Sequence, residues 1–149
     1  IPLRLVGSEM CIRDSFATNA FAPILLLKHL LPLLRKQPAT FAALSARVGS
    51  IGDNRLGGWY SYRASKAALN QLLHTASIEL KRLNPASTVL AVHPGTTDTE
   101  LSQPFQGNVP EGKLFEPAFS AERILEVISA HGPDDSGSFW AWDDRPIAW

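Results

Sequence analysis

Apolar residues crowd the stretch from Ala20 to Leu34. Phe21, Ile24, Leu25, Lys28 and Leu31 recur three or four apart, and apolar residues fill the opposite face too. This pattern predicts a helix over 17–35 that is buried or lies in a subunit interface. Pro38 closes it. Phe41–Ser45 (FAALS) is a short apolar run, expected as a buried strand. Arg47–Gly58 then gathers Gly49, Gly52, Asp53-Asn54 and Gly57-Gly58, which are turn formers. Ala68, Leu69, Leu72, Leu73, Ala76, Leu80 and Leu83 make one stripe and predict a long helix over 60–83, stopped by Asn84-Pro85. Ser87–His93 (STVLAVH) barely alternates, as in a strand buried on both faces of a parallel sheet. Residues 96–118 show no period and read as a lid-like loop. Ser120 is the expected N-cap of a helix over 121–130, and Ser138–Trp142 (SFWAW) a last strand. Strands separated by helices predict an α/β fold: a parallel sheet with right-handed crossovers.

Composition agrees with one soluble globular domain: 149 residues, 45% apolar and 19% charged. Fourteen basic residues balance fourteen acidic ones, which removes the electrostatic case for nucleic acid or an anionic membrane as partner. The Ala20–Leu34 run reads as too short for a membrane span and is interrupted by Lys28, His29 and Pro32. Ile1–Leu5 has neither the charged start nor the apolar stretch of a secretory signal. Cys11 is the only cysteine, so no intramolecular disulfide forms, and a reducing, cytoplasmic compartment is expected.

The first fifteen residues, IPLRLVGSEMCIRDS, differ in character from the rest. No helical or strand period runs through them. Met10-Cys11-Ile12-Arg13-Asp14-Ser15 holds the chain's only Met and only Cys. It resembles the translation of a transposase adaptor from sequencing libraries. Residues 1–15 are therefore expected to be non-native, and 16–149 the native part; the alternative is a native N-terminal arm.

Candidate chemistry centres on Tyr62-Arg-Ala-Ser-Lys66. Positions four apart share one helix face. An ammonium beside a phenol favours the phenolate and is expected to lower the tyrosine pKa. Such a tyrosine can exchange a proton with a substrate oxygen, as reduction of a carbonyl requires. Alone, Y-x-x-x-K is a weak signal whose ordinary reading is an exposed Tyr with a solvated Lys. Here it follows a strand and a glycine-rich loop and opens a long helix.

With that context, residues 16–149 resemble the short-chain dehydrogenase/reductase family. YRASKAALN resembles its catalytic helix. His93–Leu101 (HPGTTDTEL) resembles the segment that holds the nicotinamide carboxamide, with Pro94, Gly95 and Thr99 matching and Thr97 standing where valine is commoner. Thr18-Asn19 resembles the helix asparagine that helps hold a relay water. The loop VGSIGDNRLGGWYSYRASK and the ending around GSFWAWDD and Trp149 resemble the C-signal/sniffer-like carbonyl reductase branch. The resemblance implies the C-terminal half of a Rossmann-type doubly wound parallel sheet. It implies Tyr62, Lys66, a serine and Asn19 as the catalytic set. Tyr62, Lys66, Pro94, Gly95, Thr97 and Thr99 would face NAD(P), with NADP the expected form, and a small-molecule carbonyl or alcohol would be the substrate. It also implies a homo-oligomer through the helices at 17–35 and 60–83.

The pattern departs from the family at the serine. Aligned on Gly49, the usual serine position is Ala46. Ser50, after the loop glycine, is the preferred substitute. Ser45, one residue away, is expected to point to the opposite strand face unless the strand twists. The family's glycine-rich T-G-x-x-x-G-x-G turn is absent, so the chain resembles only the nicotinamide and substrate side. An alternative reading is a non-catalytic, cofactor-binding signalling or scaffold protein on the same fold. His29, His74, His93 and His131 lack metal-ligand spacing, so no metal site is expected. There is no G-x-S-x-G elbow for a serine hydrolase.

Overall fold

The computed structural model describes residues 9–149. The part of the suspect segment before Glu9 lies outside the described residues. Helix α1 runs over Glu9–Leu34, eight residues earlier than the pattern predicts. Its first turns, Glu9–Phe16, bury no residue, which is why no apolar stripe announces them; an exposed Glu9–Arg13 pair at 2.8 Å bridges one turn. At 26 residues, α1 as a whole is long and apolar enough to cross a membrane by length and composition, because it extends beyond the Ala20–Leu34 run. Ala20, Leu27 and Leu34 of α1 are buried.

One turn of α1, Ala17–Phe21, is widened to π geometry, with the Ala22 N–H reaching back to the Ala17 carbonyl. Pro23 follows at its exit. Proline has no N–H to return to the Asn19 carbonyl four residues back, which gives the distortion a cause. Asn84 then ties the ends of two helices together. Its Nδ2 donates to the Leu34 carbonyl at 2.8 Å and the Gln37 carbonyl at 2.9 Å.

The main sheet holds β1 (Thr40–Leu44), β2 (Thr88–His93) and β5 (Ser138–Ala141), all parallel, in the order β1-β2-β5. Each strand lies within one residue of its expected bounds. Helix α2 spans Tyr60–Leu83, as the stripe predicts. Helix α3 spans Pro117–Ala130 and starts four residues earlier than expected. Glu116 is its N-cap residue and makes no side-chain cap bond. Pro117 opens the helix instead, its fixed φ suiting that position. Ser120 is therefore not the cap; it lies in the first turn.

The sheet is covered on both faces. Val89 and Ala91 of β2 join Phe41, Ala43, Leu69, Leu73, Leu80 and Phe139 in the larger core, beneath α1 and α2. Leu90 and Val92 turn the other way, to Val127 of α3. A strand buried on both faces needs apolar residues at every position, so β2 reads as a continuous run. The 96–118 loop is more ordered than its composition predicts. Thr96–Thr97 (β3) pairs in parallel with Leu114–Phe115 (β4), and a short 3-10 helix covers Gln103–Asn108. A two-residue strand is too short to leave a period in the sequence.

Candidate active site

Tyr62 lies in the first turn of α2, just after a strained entry. Trp59, the residue before the helix, has φ 49° and ψ 44°, left-handed backbone that a bulky residue rarely adopts. Arg63 holds this entry in place. Its Nε donates to the Gly57 carbonyl at 3.2 Å and the Gly58 carbonyl at 3.0 Å, and its Nη1 to the Val48 carbonyl at 3.2 Å. The guanidinium also lies over the Trp59 ring, 5.6 Å from its centre. Sequence reasoning passed over Arg63, although an arginine directly after a run of loop carbonyls is a signal for such a fork.

Lys66 is buried one turn below Tyr62. Its ammonium donates to the Leu44 carbonyl at 2.8 Å, at the carboxyl end of β1, and lies 5.9 Å from the centre of the Tyr62 ring. Burial pushes the Tyr62 phenol above its usual pKa and the Lys66 ammonium below its own. The expectation that Lys66 lowers the tyrosine pKa is thus corrected: burial dominates, with the ammonium turned toward the Leu44 carbonyl. Both groups keep their neutral forms more readily than in water.

The two serine candidates are both buried, and differ in what they bond. Ser45 donates to Asn70 Oδ1 at 2.5 Å, so it shares the α2 side of the sheet rather than the opposite face; its backbone N–H still reaches the Val92 carbonyl at 2.8 Å. Ser50 Oγ accepts the Asp53 N–H at 3.1 Å. That bond uses a lone pair and leaves the hydroxyl proton of Ser50 available to donate. Asn19 Nδ2 donates to Ser65 Oγ at 3.0 Å, and Ser65 Oγ donates to the Tyr62 carbonyl at 3.0 Å. The asparagine is thereby tethered to the backbone of the tyrosine. Ser65 was not singled out from the sequence.

The turn after β2 carries the remaining candidates. Gly95 has φ 79°, and a side chain there would press on Phe115 and Trp142. Pro94 precedes it. The Thr97 and Ser120 hydroxyls are 2.8 Å apart, the Thr97 carbonyl accepts from Ser102 Oγ at 2.6 Å, and Thr99 is exposed. His93, the last residue of β2, is pushed down to about pKa 4, first by burial and then by the nearby Arg47 charge, against Asp143. Buried His93 Nδ1 and Asp143 Oδ1 have no hydrogen-bond partner. Among the described residues, no cluster of three or more His, Cys, Asp or Glu could hold a metal ion.

Lysine, phenol and threonines thus gather at the carboxyl ends of parallel strands, where open α/β sheets take their ligands. A family model described as short chain dehydrogenase matches residues 5–109. The chain is 33% identical over 138 residues to 1-hydroxy-2-glutathionyl-2-methyl-3-butene dehydrogenase of Rhodococcus sp. (strain AD45), covering 93% of this chain and 58% of that protein. It is 32% identical to C-signal of Myxococcus xanthus, covering 91% of this chain and 76% of the relative. Among solved structures, the carbonyl reductase Sniffer of D. melanogaster superposes with a TM-score of 0.83 at 30% identity, over 96% of this chain and 59% of that one. The NADPH-bound carbonyl reductase from chicken fatty liver gives the same TM-score, identity and coverage. The chain therefore spans 58–59% of the Rhodococcus and reductase chains. The chain belongs to the short chain dehydrogenase family.

Proposed function

We propose that the protein carrying this chain moves hydride between NAD(P), NADP by preference, and a small-molecule carbonyl or alcohol. The carrying observation is half-buried Tyr62 and buried Lys66, one turn apart on α2, with the lysine anchored at the end of β1. The NADPH in the chicken carbonyl reductase supports the cofactor assignment. The donor set fits the nicotinamide half of the cofactor: an ammonium, a phenol and threonine hydroxyls, beside a buried His93 Nδ1 that lacks a partner. Lys66 would hold the ribose hydroxyls, and Pro94, Gly95, Thr97 and Thr99 the carboxamide. When bound, the cofactor supplies or accepts the hydride.

The residues of this chain handle the proton. In reduction, Tyr62 donates its phenolic proton to the carbonyl oxygen as negative charge develops there. Its raised pKa keeps that proton in place at neutral pH. Ser50 donates to the same oxygen, because its hydroxyl proton is not engaged, whereas Ser45 spends its proton on Asn70. Asn19 orders the relay water toward Lys66; the Pro23 distortion, which deprives its carbonyl of the usual helical donor, supports that role.

The test is Tyr62→Phe in the full-length protein, with NADPH and a panel of aldehydes and ketones. Turnover should vanish while cofactor binding stays within a few-fold. Retained turnover refutes the role. Ala46 in the usual serine position favours a second reading, a cofactor-binding scaffold. Tight NADPH binding by the wild type without any oxidation would select it. The exposed Phe21, Leu25, Leu26 and Leu33 of α1 and Ile78 of α2 support a homo-oligomer through these helices, and a cytoplasmic location accompanies the proposal.

A further inference from the structure

We infer that Trp149 is a positioning residue for the serine loop: it clamps the Ser50–Asp53 turn against α2 and β5. This rests on the reading of Ser50 as the carbonyl-steadying hydroxyl. After β5 the chain reverses and returns along it, with the Ala141 N–H donating to the Arg145 carbonyl at 2.9 Å and the Ile147 N–H to the Phe139 carbonyl at 2.8 Å. Ile147 is buried in the larger core. This return path delivers Trp149 to the loop, where its carbonyl accepts the Gly52 N–H at 3.1 Å.

The indole is held on two sides. It stacks on Phe139 of β5 at 5.6 Å between centroids, with 20° between planes. It meets His74 of α2 edge-on, also at 5.6 Å. His74 is itself fixed, its Nδ1 bonded to the Gly137 carbonyl at 2.9 Å. Trp149, 40% exposed, is thus seated between β5 and α2, and its carbonyl shares the holding of the turn with the Ser50 N–H bond to the Arg47 carbonyl at 2.9 Å and the Arg47–Asp53 ion pair at 3.6 Å. Within that turn, Asp53 bonds Ser50 and the Asn54 N–H reaches the Ile51 carbonyl at 3.4 Å; Ile51 itself is 77% exposed. A cavity of about 190 Å³ lies between Trp149, Gly49, Ile51, Ala67 and His74. Loss of the indole would enlarge that space beside Ile51. A hydroxyl on a mobile turn donates poorly to a transition-state oxygen, since misplacement by about 1 Å can cost two orders of magnitude in rate.

The experiment pairs Trp149→Ala with Trp149→Phe. In the full-length protein, Trp149→Ala should lower kcat about tenfold and leave KM for NADPH within about twofold. Trp149→Phe, which keeps a ring on Phe139, should recover most of kcat. Indole added to the alanine variant should do the same by refilling the widened cavity, as apolar cavities admit small aromatics. Amide NMR supplies a readout independent of activity: the Ser50, Gly52 and Asp53 resonances should shift in Trp149→Ala and return with indole. Gly52→Pro, which removes the N–H that bonds the Trp149 carbonyl and also fixes φ at that position, should lower kcat in the same sense should the alanine variant fail to fold. Unmoved turn amides, or a kcat loss that merely follows the loss of folded protein and is not restored by indole, overturn the inference. If the wild type shows no turnover, the proposed function fails, and the amide shifts still decide whether Trp149 holds the turn.

Discussion

Gly49 touches Lys66. A methyl group on Gly49 would come within 2.8 Å of Lys66 Cβ and 2.9 Å of its carbonyl carbon. The loop after β1 can lie against α2 only because position 49 has no side chain. Gly49→Ala must push α2 and the loop apart at Lys66. Overpacking of this kind costs about 1–3 kcal/mol. The expected result is a lower unfolding midpoint in urea at unchanged m value, with loss of the Lys66–Leu44 bond. An alanine variant as stable as wild type would show that the contact relaxes freely.

His93 makes stability depend on pH. Its folded pKa of about 4 lies below the unfolded value of about 6.5, so the unfolded chain binds the extra proton first. Stability is fully present above pH ~6.5 and falls as the pH drops from there toward 4. A shift of that size corresponds to roughly 3 kcal/mol at most. Urea melts at pH 7 and 4.5 should differ in that direction, and His93→Asn should flatten the difference. The Cε1–H resonance of His93 should titrate near pH 4; titration near 6.5 in the folded state would remove the basis of the prediction.

Asn84 joins the ends of α1 and α2 through the Leu34 and Gln37 carbonyls, and its Nδ2 also reaches Ser87 Oγ at 2.8 Å. Asn84→Ala leaves buried Ser87, the Leu34 carbonyl at the end of α1 and the Gln37 carbonyl of the following loop with fewer donors. The expected loss is about 1–3 kcal/mol, read from denaturant unfolding. Asn84→Asp should be no better, because a carboxylate cannot donate to carbonyls. Equal stability of both variants with wild type would mean that water replaces the amide at no cost.

What the sequence made legible follows the physics of each element. Helix α2 and strand β2 were readable because burial imposes a pattern, a stripe at Leu69, Leu73 and Leu80 and a continuous apolar run at Val89–Val92. The start of α1 was not, because Glu9–Phe16 buries nothing and so carries no stripe. The start of α3 was misplaced because Ser120 has the chemistry of a cap but spends its hydroxyl near Thr97, while Pro117 opens the helix. At the site, spacing four apart foretold that Tyr62 and Lys66 share a face. It could not foretell that the lysine would bond the Leu44 carbonyl, nor that Asn19 would reach Ser65 across 46 positions, since those contacts depend on how helix and strand dock.

Among the described residues, strand β1 is at the edge of the three-stranded sheet, and a parallel edge presents backbone donors and acceptors that can template another strand. Beside it, Leu44 is 53% exposed, and α1 exposes Phe21, Leu25, Leu26 and Leu33 by more than half. Apolar faces of this kind drive association. On the proposed function, residues 1–149, which hold no T-G-x-x-x-G-x-G turn, would meet a dinucleotide only at its nicotinamide end. Residues 1–149 alone should therefore self-associate and bind NADPH with a Kd well above the micromolar range. Sedimentation velocity across a concentration series checks the first part, and isothermal titration with NADPH the second. Charged substitutions at Leu25 and Leu33 should reduce association, whereas the same change at buried Leu27 should unfold the helix packing instead. A monomer at all concentrations with micromolar NADPH affinity would show that β1 and the α1 face need no cover and that the strand-end residues hold the cofactor unaided.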